Sequence, residues 1–159
     1  MMLVVADTSP FVAPVKIGHI GLLPALFGSV TIPDEVAAEL SSTARTEDVR
    51  AFIASTPQWL SIQTVSRFEA IPGIHIGEQA AISLAIELKA DLLLIDEQVG
   101  RKAAIARKLQ TVRTAALMFE AARTGVLGDL KGAFDRLKAT NFRVPVKVLD
   151  ELLKLYESR

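Results

Sequence analysis

Apolar and polar positions along the chain fall into blocks whose period changes repeatedly. Leu3 to Ala6 is an unbroken apolar run, the pattern of a strand buried on both faces, and Asp7-Thr8-Ser9-Pro10 follows it. Ser9 suits a helix N-cap and Pro10 a first helical position, so a strand hands over to a helix at Asp7. Pro14 removes one backbone hydrogen bond a turn later and predicts that this helix is short or kinked. Ile20 to Phe27 reads as a second short helix stopped by Gly28. Val30-Thr31-Ile32 is a second strand. Pro33-Asp34-Glu35 then opens a helix with acidic residues where the helix dipole favours them.

Further on, residues 46–55 predict a helix and Leu60 to Val65 an alternating strand. Gly77 to Ala90 carries the clearest helical period, with Ala81, Ile82, Ala85, Ile86 and Leu88 apolar and Glu78 in the first turn. Leu92-Leu93-Leu94-Ile95 is a buried strand that ends at Asp96-Glu97. Residues 97–109 form a basic amphipathic helix, Thr111 to Arg113 a short strand, and residues 115–124 and 129–139 two helices. Val148, Leu149, Leu152, Leu153 and Tyr156 mark a last amphipathic helix. Buried strands alternating with helices specify a parallel sheet covered on both faces, a three-layer α/β/α fold with right-handed crossovers. The 159 residues are expected to form a single domain.

Composition narrows the chemistry. The chain has no cysteine and only two histidines, His19 and His75, which excludes thiolate zinc sites, iron–sulfur clusters and thiol nucleophiles and disfavours an all-histidine metal site. Lys+Arg and Asp+Glu number 18 each, yet residues 101–143 hold 10 basic against 3 acidic side chains. An acidic site beside a basic surface is therefore permitted. The longest charge-free run, residues 17–33, is broken by prolines and glycines and predicts no membrane span. The N-terminus lacks a basic leader, so a cytoplasmic protein is expected.

Sites in open parallel sheets form beyond the carboxyl ends of the strands. Asp7 and Asp96 each follow a buried strand and project at that edge. Glu78 opens the helix that leads back to the strand ending at Asp96, so it lies at the same edge. Glu39 sits about one and a half turns into its helix, roughly 9 Å from the start at 1.5 Å per residue, and only a tilted helix brings it in. Singly, each has an ordinary reading as a turn former, a helix cap or an answer to the dipole. Gathered, they repel unless a cation binds, and oxygen ligands without histidine or thiolate suit Mg²⁺ or Mn²⁺.

The segments Val4-Val5-Ala6-Asp7-Thr8-Ser9-Pro10, Ile32-Pro33-Asp34-Glu35-Val36 running to Glu39-Leu40, Gly77-Glu78-Gln79-Ala80-Ala81 and Leu94-Ile95-Asp96-Glu97, in this order and spacing, resemble the PIN-domain family. The likeness is strongest to its branch of small prokaryotic toxin-like (VapC-like) ribonucleases and spans nearly the whole chain. The resemblance implies a divalent-metal-dependent ribonuclease whose acidic quartet is Asp7, Glu39, Glu78 and Asp96, with Glu97 able to share or replace the role of Asp96. Ser9, or Thr8, matches the family's hydroxyl beside the first Asp. The expected mechanism is in-line attack of metal-activated water on a phosphodiester, with Asp7 and Asp96 holding the principal ion and Glu39 and Glu78 supporting it, binding a second ion or orienting the water. The resemblance further implies products with 5′-phosphate and 3′-hydroxyl ends, and an antitoxin partner that blocks the site.

Arg101 and Lys102, next to Asp96, are the leading candidates for RNA phosphates, with Arg107, Lys108, Arg113 and Arg123 behind them. His75 reads as polar surface and Trp59 as core packing. A homodimer is expected from the apolar content and from a surplus apolar face on the helix of residues 145–157. Two other readings compete. A phosphoacceptor receiver domain also collects carboxylates around Mg²⁺, but needs an acidic pair near the first strand and a Lys after the last. A catalytically silent partner-binding module of the same fold would not need the quartet.

Overall fold

The computed structural model describes residues 2–158. Its centre is a parallel sheet of five strands: β1 (Val4–Ala6), β2 (Val30–Pro33), β3 (Leu60–Gln63), β4 (Leu92–Leu94) and β5 (Thr111–Val112), in the order β3-β2-β1-β4-β5. Register pairs Val5 with Thr31 on one side and with Leu93 on the other. Nine helices are described: α1 (Ser9–Lys16), α2 (Leu22–Phe27), α3 (Asp34–Leu40), α4 (Glu47–Ser55), α5 (Ile76–Leu88), α6 (Gln98–Ala106), α7 (Thr114–Arg123), α8 (Leu130–Lys138) and α9 (Val146–Glu157). They cover both faces of the sheet, as the alternating pattern requires. In one layer α5 lies along β1, β2 and β4 between α3 and α6. In the other α1 packs on α4 and α7, and α7 on α9.

Sheet order decides one competing reading. A receiver domain is built 2-1-3-4-5, whereas this sheet runs 3-2-1-4-5. The order reverses between β1 and β4, and that switch point is where a crevice opens at the carboxyl edge.

The core explains the strand pattern. Val5, Ala6, Leu93 and Leu94 are fully buried, each large aliphatic contributing about 1.5–3 kcal/mol by leaving water. Small residues set the closeness of α5: Ala80, Ala81 and Ala85 are completely buried and let the helix axis approach the sheet. Trp59 stacks on Phe11 (centroids 6.4 Å apart) and meets Phe52 at 5.9 Å, so it is core packing.

Two local expectations need correcting, and one between them holds. Ser9 is not the N-cap of α1. Thr8 holds that position in an αR conformation, and its hydroxyl donates to the Glu39 carboxylate while accepting no hydrogen bond from the helix backbone. The helix with Pro14 inside it is indeed short, eight residues, and gives way at Gly18, whose φ of +76° favours glycine. Finally, the apolar face of α9 is not surplus. Leu149 is buried, Val148, Leu152 and Leu153 pack on the core, and Tyr156 meets Phe119 edge-on at 6.5 Å. Only Val146 and Leu155 of that helix stand out as exposed large apolar groups, so α9 offers no separate ground for a homodimer. No described helix is long and apolar enough to cross a membrane.

Candidate active site

Asp7 stands at the switch point because β1 ends there: its backbone N–H donates to the Leu94 carbonyl at 2.9 Å, which continues the pairing of β1 with β4 one residue past the strand. The side chain is only 5% exposed, and Oδ1 is buried without a hydrogen-bond partner. Burial pushes its pKa up to about 7, opposed by the Thr8 N–H and assisted by the charges of Glu78, Glu39 and Asp96.

Glu78 enters from the third position of α5. Its Oε1 accepts from the His75 N–H at 3.4 Å, while Oε2 is buried and unpartnered. Burial raises its pKa as well, with Glu97 and Glu39 adding to the effect against the His75 N–H and imidazole. Glu39 does reach the same place. A Cβ on Gly77 would lie 2.9 Å from Glu39 Oε2 and 3.7 Å from Asp7 Oδ1, so the bare backbone at the start of α5 makes room for both carboxylates. Gly100, in the first turn of α6, makes the corresponding room for Glu78: a Cβ there would lie 2.5 Å from Glu78 Oε2 and 3.0 Å from Ile95 Cδ1.

These groups border an acidic cleft of about 250 Å³ lined by Asp7, Ser9, Glu39, Arg45, Glu78 and Glu97, with Thr8 and His75 completing it. Asp96 does not line it. Both its oxygens are committed to the N-terminus of α7, Oδ1 to the Thr114 N–H at 2.9 Å and Oδ2 to the Thr114 hydroxyl at 2.6 Å. Burial still raises its pKa, with Thr114, Arg113 and Arg101 pulling the other way. The capping role that an Asp after a strand often plays is therefore real here, across the chain rather than locally. Thr114 is 1% exposed, so Thr114→Val should cost about 1–3 kcal/mol in urea unfolding, the worth of a buried bond to a charged group. A change below about 0.5 kcal/mol, the scatter of ordinary surface substitutions, would show that the hydroxyl is dispensable.

Among the described residues, no three carboxylate or imidazole groups are drawn together as a closed metal cage. Like charges without a cation between them stay apart, and the test of fit lies in the orphaned oxygens. Asp7 Oδ1 and Glu78 Oε2 are buried acceptors with no donor, a condition that a hard cation relieves. The donor set of carboxylates and hydroxyls suits Mg²⁺ or Mn²⁺. Glu97 is exposed at the rim.

The basic candidates separate. Arg101 lines a neighbouring cavity of about 540 Å³ together with Asp96, Glu97 and Arg113, whereas Lys102 is exposed and lines neither space. Arg107 is held by Glu69, Nε to Oε2 at 3.0 Å, and Arg123 pairs with Glu120. Lys108 sits at the far end of α6 with φ +65°. Sequence reasoning missed Arg45, Gly77, Gly100 and the link from Thr114 to Asp96. A hydroxyl opening the helix after the last strand was the one visible signal, for Thr114.

The PIN-domain family model DUF3368 matches residues 3–158. No curated protein matches the chain significantly. Among solved structures the chain is similar to a PilT N-terminus domain protein from the hyperthermophilic archaeon Sulfolobus solfataricus P2. The TM-score is 0.56 and the identity 17%, over 73% of this chain and 90% of that one. At that identity the likeness speaks for the fold alone. The family match, which spans almost every residue, carries the assignment: this chain belongs to the PIN-domain family.

Proposed function

We propose that the chain is a divalent-metal-dependent ribonuclease, the toxin of a toxin–antitoxin pair. PIN domains are a nuclease fold, and the observation that carries the finer reading is the pair of buried, donorless carboxylate oxygens on Asp7 and Glu78. Asp7 and Glu78 would hold Mg²⁺ or Mn²⁺, with Glu39, Glu97 and Asp96 as further acidic neighbours. When bound, such an ion polarises a phosphoryl oxygen and makes water a competent nucleophile at neutral pH. The chain's own residues orient the site. Thr8 holds Glu39 through its hydroxyl, the His75 N–H holds Glu78, and Ser9 offers a hydroxyl at the rim. Arg101, with Lys102 on the outer surface of the same helix, supplies positive charge for substrate phosphates. The protein would act in the cytoplasm as a single domain, paired with a second copy and opposed by an antitoxin.

Purified protein mixed with a panel of structured and single-stranded RNAs is the test. Cleavage is expected with Mg²⁺ or Mn²⁺ and not with excess chelator; undiminished cleavage in chelator would sink the mechanism. The full engagement of Asp96 by Thr114 favours a second reading, a catalytically silent module. Its signature would be metal binding by calorimetry with no cleavage of any RNA in the panel.

A further inference from the structure

Residues 64–75, which join β3 to α5, form no helix or strand and run as a strap along α5. Gly77, Glu78 and Ala80 to Ala85 are all buried, so this helix has almost no wet side and needs cover wherever the sheet and its neighbouring helices leave it bare. Three polar residues spaced four apart, Gln79, Ser83 and Glu87, form a stripe that fastens the strap there. Glu87 Oε1 accepts from the N–H groups of Ser66 at 2.8 Å and Arg67 at 2.9 Å, and Ser83 Oγ accepts from the Glu69 N–H at 2.9 Å. Gln79 is acceptor and donor at once. Its Oε1 accepts from the Ile71 N–H at 2.9 Å, and its Nε2 donates to the Ile74 carbonyl at 2.7 Å.

This clasp closes the turn Ile71-Pro72-Gly73-Ile74 immediately before the acidic cleft. The next residue is His75, the N-cap of α5, whose N–H donates to Glu78 Oε1 at 3.4 Å and whose carbonyl accepts from the Gln79 N–H at 2.9 Å. Gln79 therefore grips the turn with its side chain and His75 with its backbone, which fixes the one donor that Glu78 has. The other oxygen of Glu78 is left buried and free for a cation. We propose that Gln79 is a positioning residue for the divalent cation: by clasping residues 71–74 it fixes His75, and through His75 it aims the Glu78 carboxylate. The assignment rests on the metal-binding reading of the cleft. Gln79 itself does not line that space, so its influence passes through His75 and Glu78. Only an amide of this length serves both partners. Methionine has the length and neither group, and glutamate has acceptors alone and would set one against the Ile74 carbonyl.

The test is titration of the full chain with Mn²⁺ at pH 8, without RNA, following the electron paramagnetic resonance signal of the free ion. Gln79→Met should weaken Mn²⁺ binding roughly 10- to 100-fold, the usual effect of removing a group that orients a metal ligand. Ser83→Ala combined with Glu87→Ala strips three bonds from the far part of the strap and leaves the clasp intact. That protein should be cut faster by trypsin after the exposed Arg67, yet keep its Mn²⁺ affinity within about twofold, as for a change remote from the site. In a Glu78→Gln background Gln79→Met should cost no further affinity, because the two residues act through one carboxylate. Gln79→Asn, one methylene too short to reach both partners, should weaken binding in the same direction and replaces the methionine variant if that protein does not fold. Unchanged affinity in the Gln79 variants, or equal weakening by the Ser83 and Glu87 pair, overturns the positioning role alone. No Mn²⁺ binding by the unaltered protein overturns the metal reading and the role together. The expected affinities with no RNA cleaved under any condition would leave the role standing and remove the nuclease reading.

Discussion

Asp7→Asn is expected to silence cleavage and, at the same time, to stabilise the metal-free protein at neutral and alkaline pH. Burial lifts the native carboxyl to a pKa of about 7, from the 3.8 of an ordinary aspartate. Between those values the folded state therefore holds more protons than the unfolded chain, and stability falls as pH rises. The cost is absent near pH 4, grows toward pH 7, and is complete above it. Its ceiling is about 4 kcal/mol, at 1.36 kcal/mol per factor of ten in proton affinity. Asn has nearly the same shape, carries no charge at any pH, and can donate its amide to the surrounding carboxylates. Metal-free Asp7→Asn should thus show a nearly flat profile, and at pH 8 a melting temperature higher by something on the order of 10 °C, taking about 2–4 °C per kcal/mol for a chain of this size. Saturating Mg²⁺ should shrink or reverse the difference, because the native protein gains by linkage what the variant cannot. Cleavage should drop roughly a hundred- to a thousandfold. Parallel melting profiles of the two proteins from pH 4 to pH 8 would show instead that Asp7 is not the strained group.

Gly100→Ala should reverse the usual sign of its class. An interior helical glycine replaced by alanine ordinarily gains about 0.5–1 kcal/mol. Here the added methyl would lie 2.5 Å from Glu78 Oε2 and 3.0 Å from Ile95 Cδ1, and Ile95 is completely buried. Either the carboxylate is pushed out of place or the core shifts, a strain of about 1–3 kcal/mol in tightly packed surroundings. Cleavage should fall roughly 10- to 100-fold, as it does when the supports of a metal site are disturbed. Adding Glu78→Ala removes the obstructing carboxylate and should recover part of the lost stability, which a simple helix defect would not. A stabilised Gly100→Ala protein with full activity would show that Glu78 has room to spare.

Much of this architecture is written locally. The run Leu3 to Ala6 is apolar at every position, the pattern of a strand covered on both sides, and the Asp7 that ends such a strand emerges at the carboxyl edge. The helical period from Gly77 to Ala90 puts Glu78 in a first turn, and a helix antiparallel to the next strand returns that turn to the same edge. Strand and helix assignments depend on neighbours a few residues away, which is why they were legible, as were the core role of Trp59 and the short first helix. Even so, β3 and α6 end earlier than their patterns suggest, at Gln63 and Ala106.

What the pattern could not carry is the direction in which each polar side chain finds its partner. Glu39 lies too far into α3 for its position to decide anything; it reaches the cleft because α3 packs on α5 and Gly77 presents no side chain there. Asp96 emerges at the expected edge but turns to Thr114, eighteen residues further along, since that helix start offers it two donors. Counting charges located the basic excess in residues 101–143, yet two cations of that segment are neutralised by Glu69 and Glu120, while Lys16 and Arg45 of the acidic half join the cavity. Backbone periodicity is set by short-range sterics and burial, so a sequence determines it alone. Hydrogen-bond and charge partnerships form between side chains that only the order of the strands and the docking of the helices bring together, and for Glu39, Asp96 and the cations Lys16, Arg45, Arg101, Arg113 and Arg143 that line the larger cavity the tertiary structure made the choice.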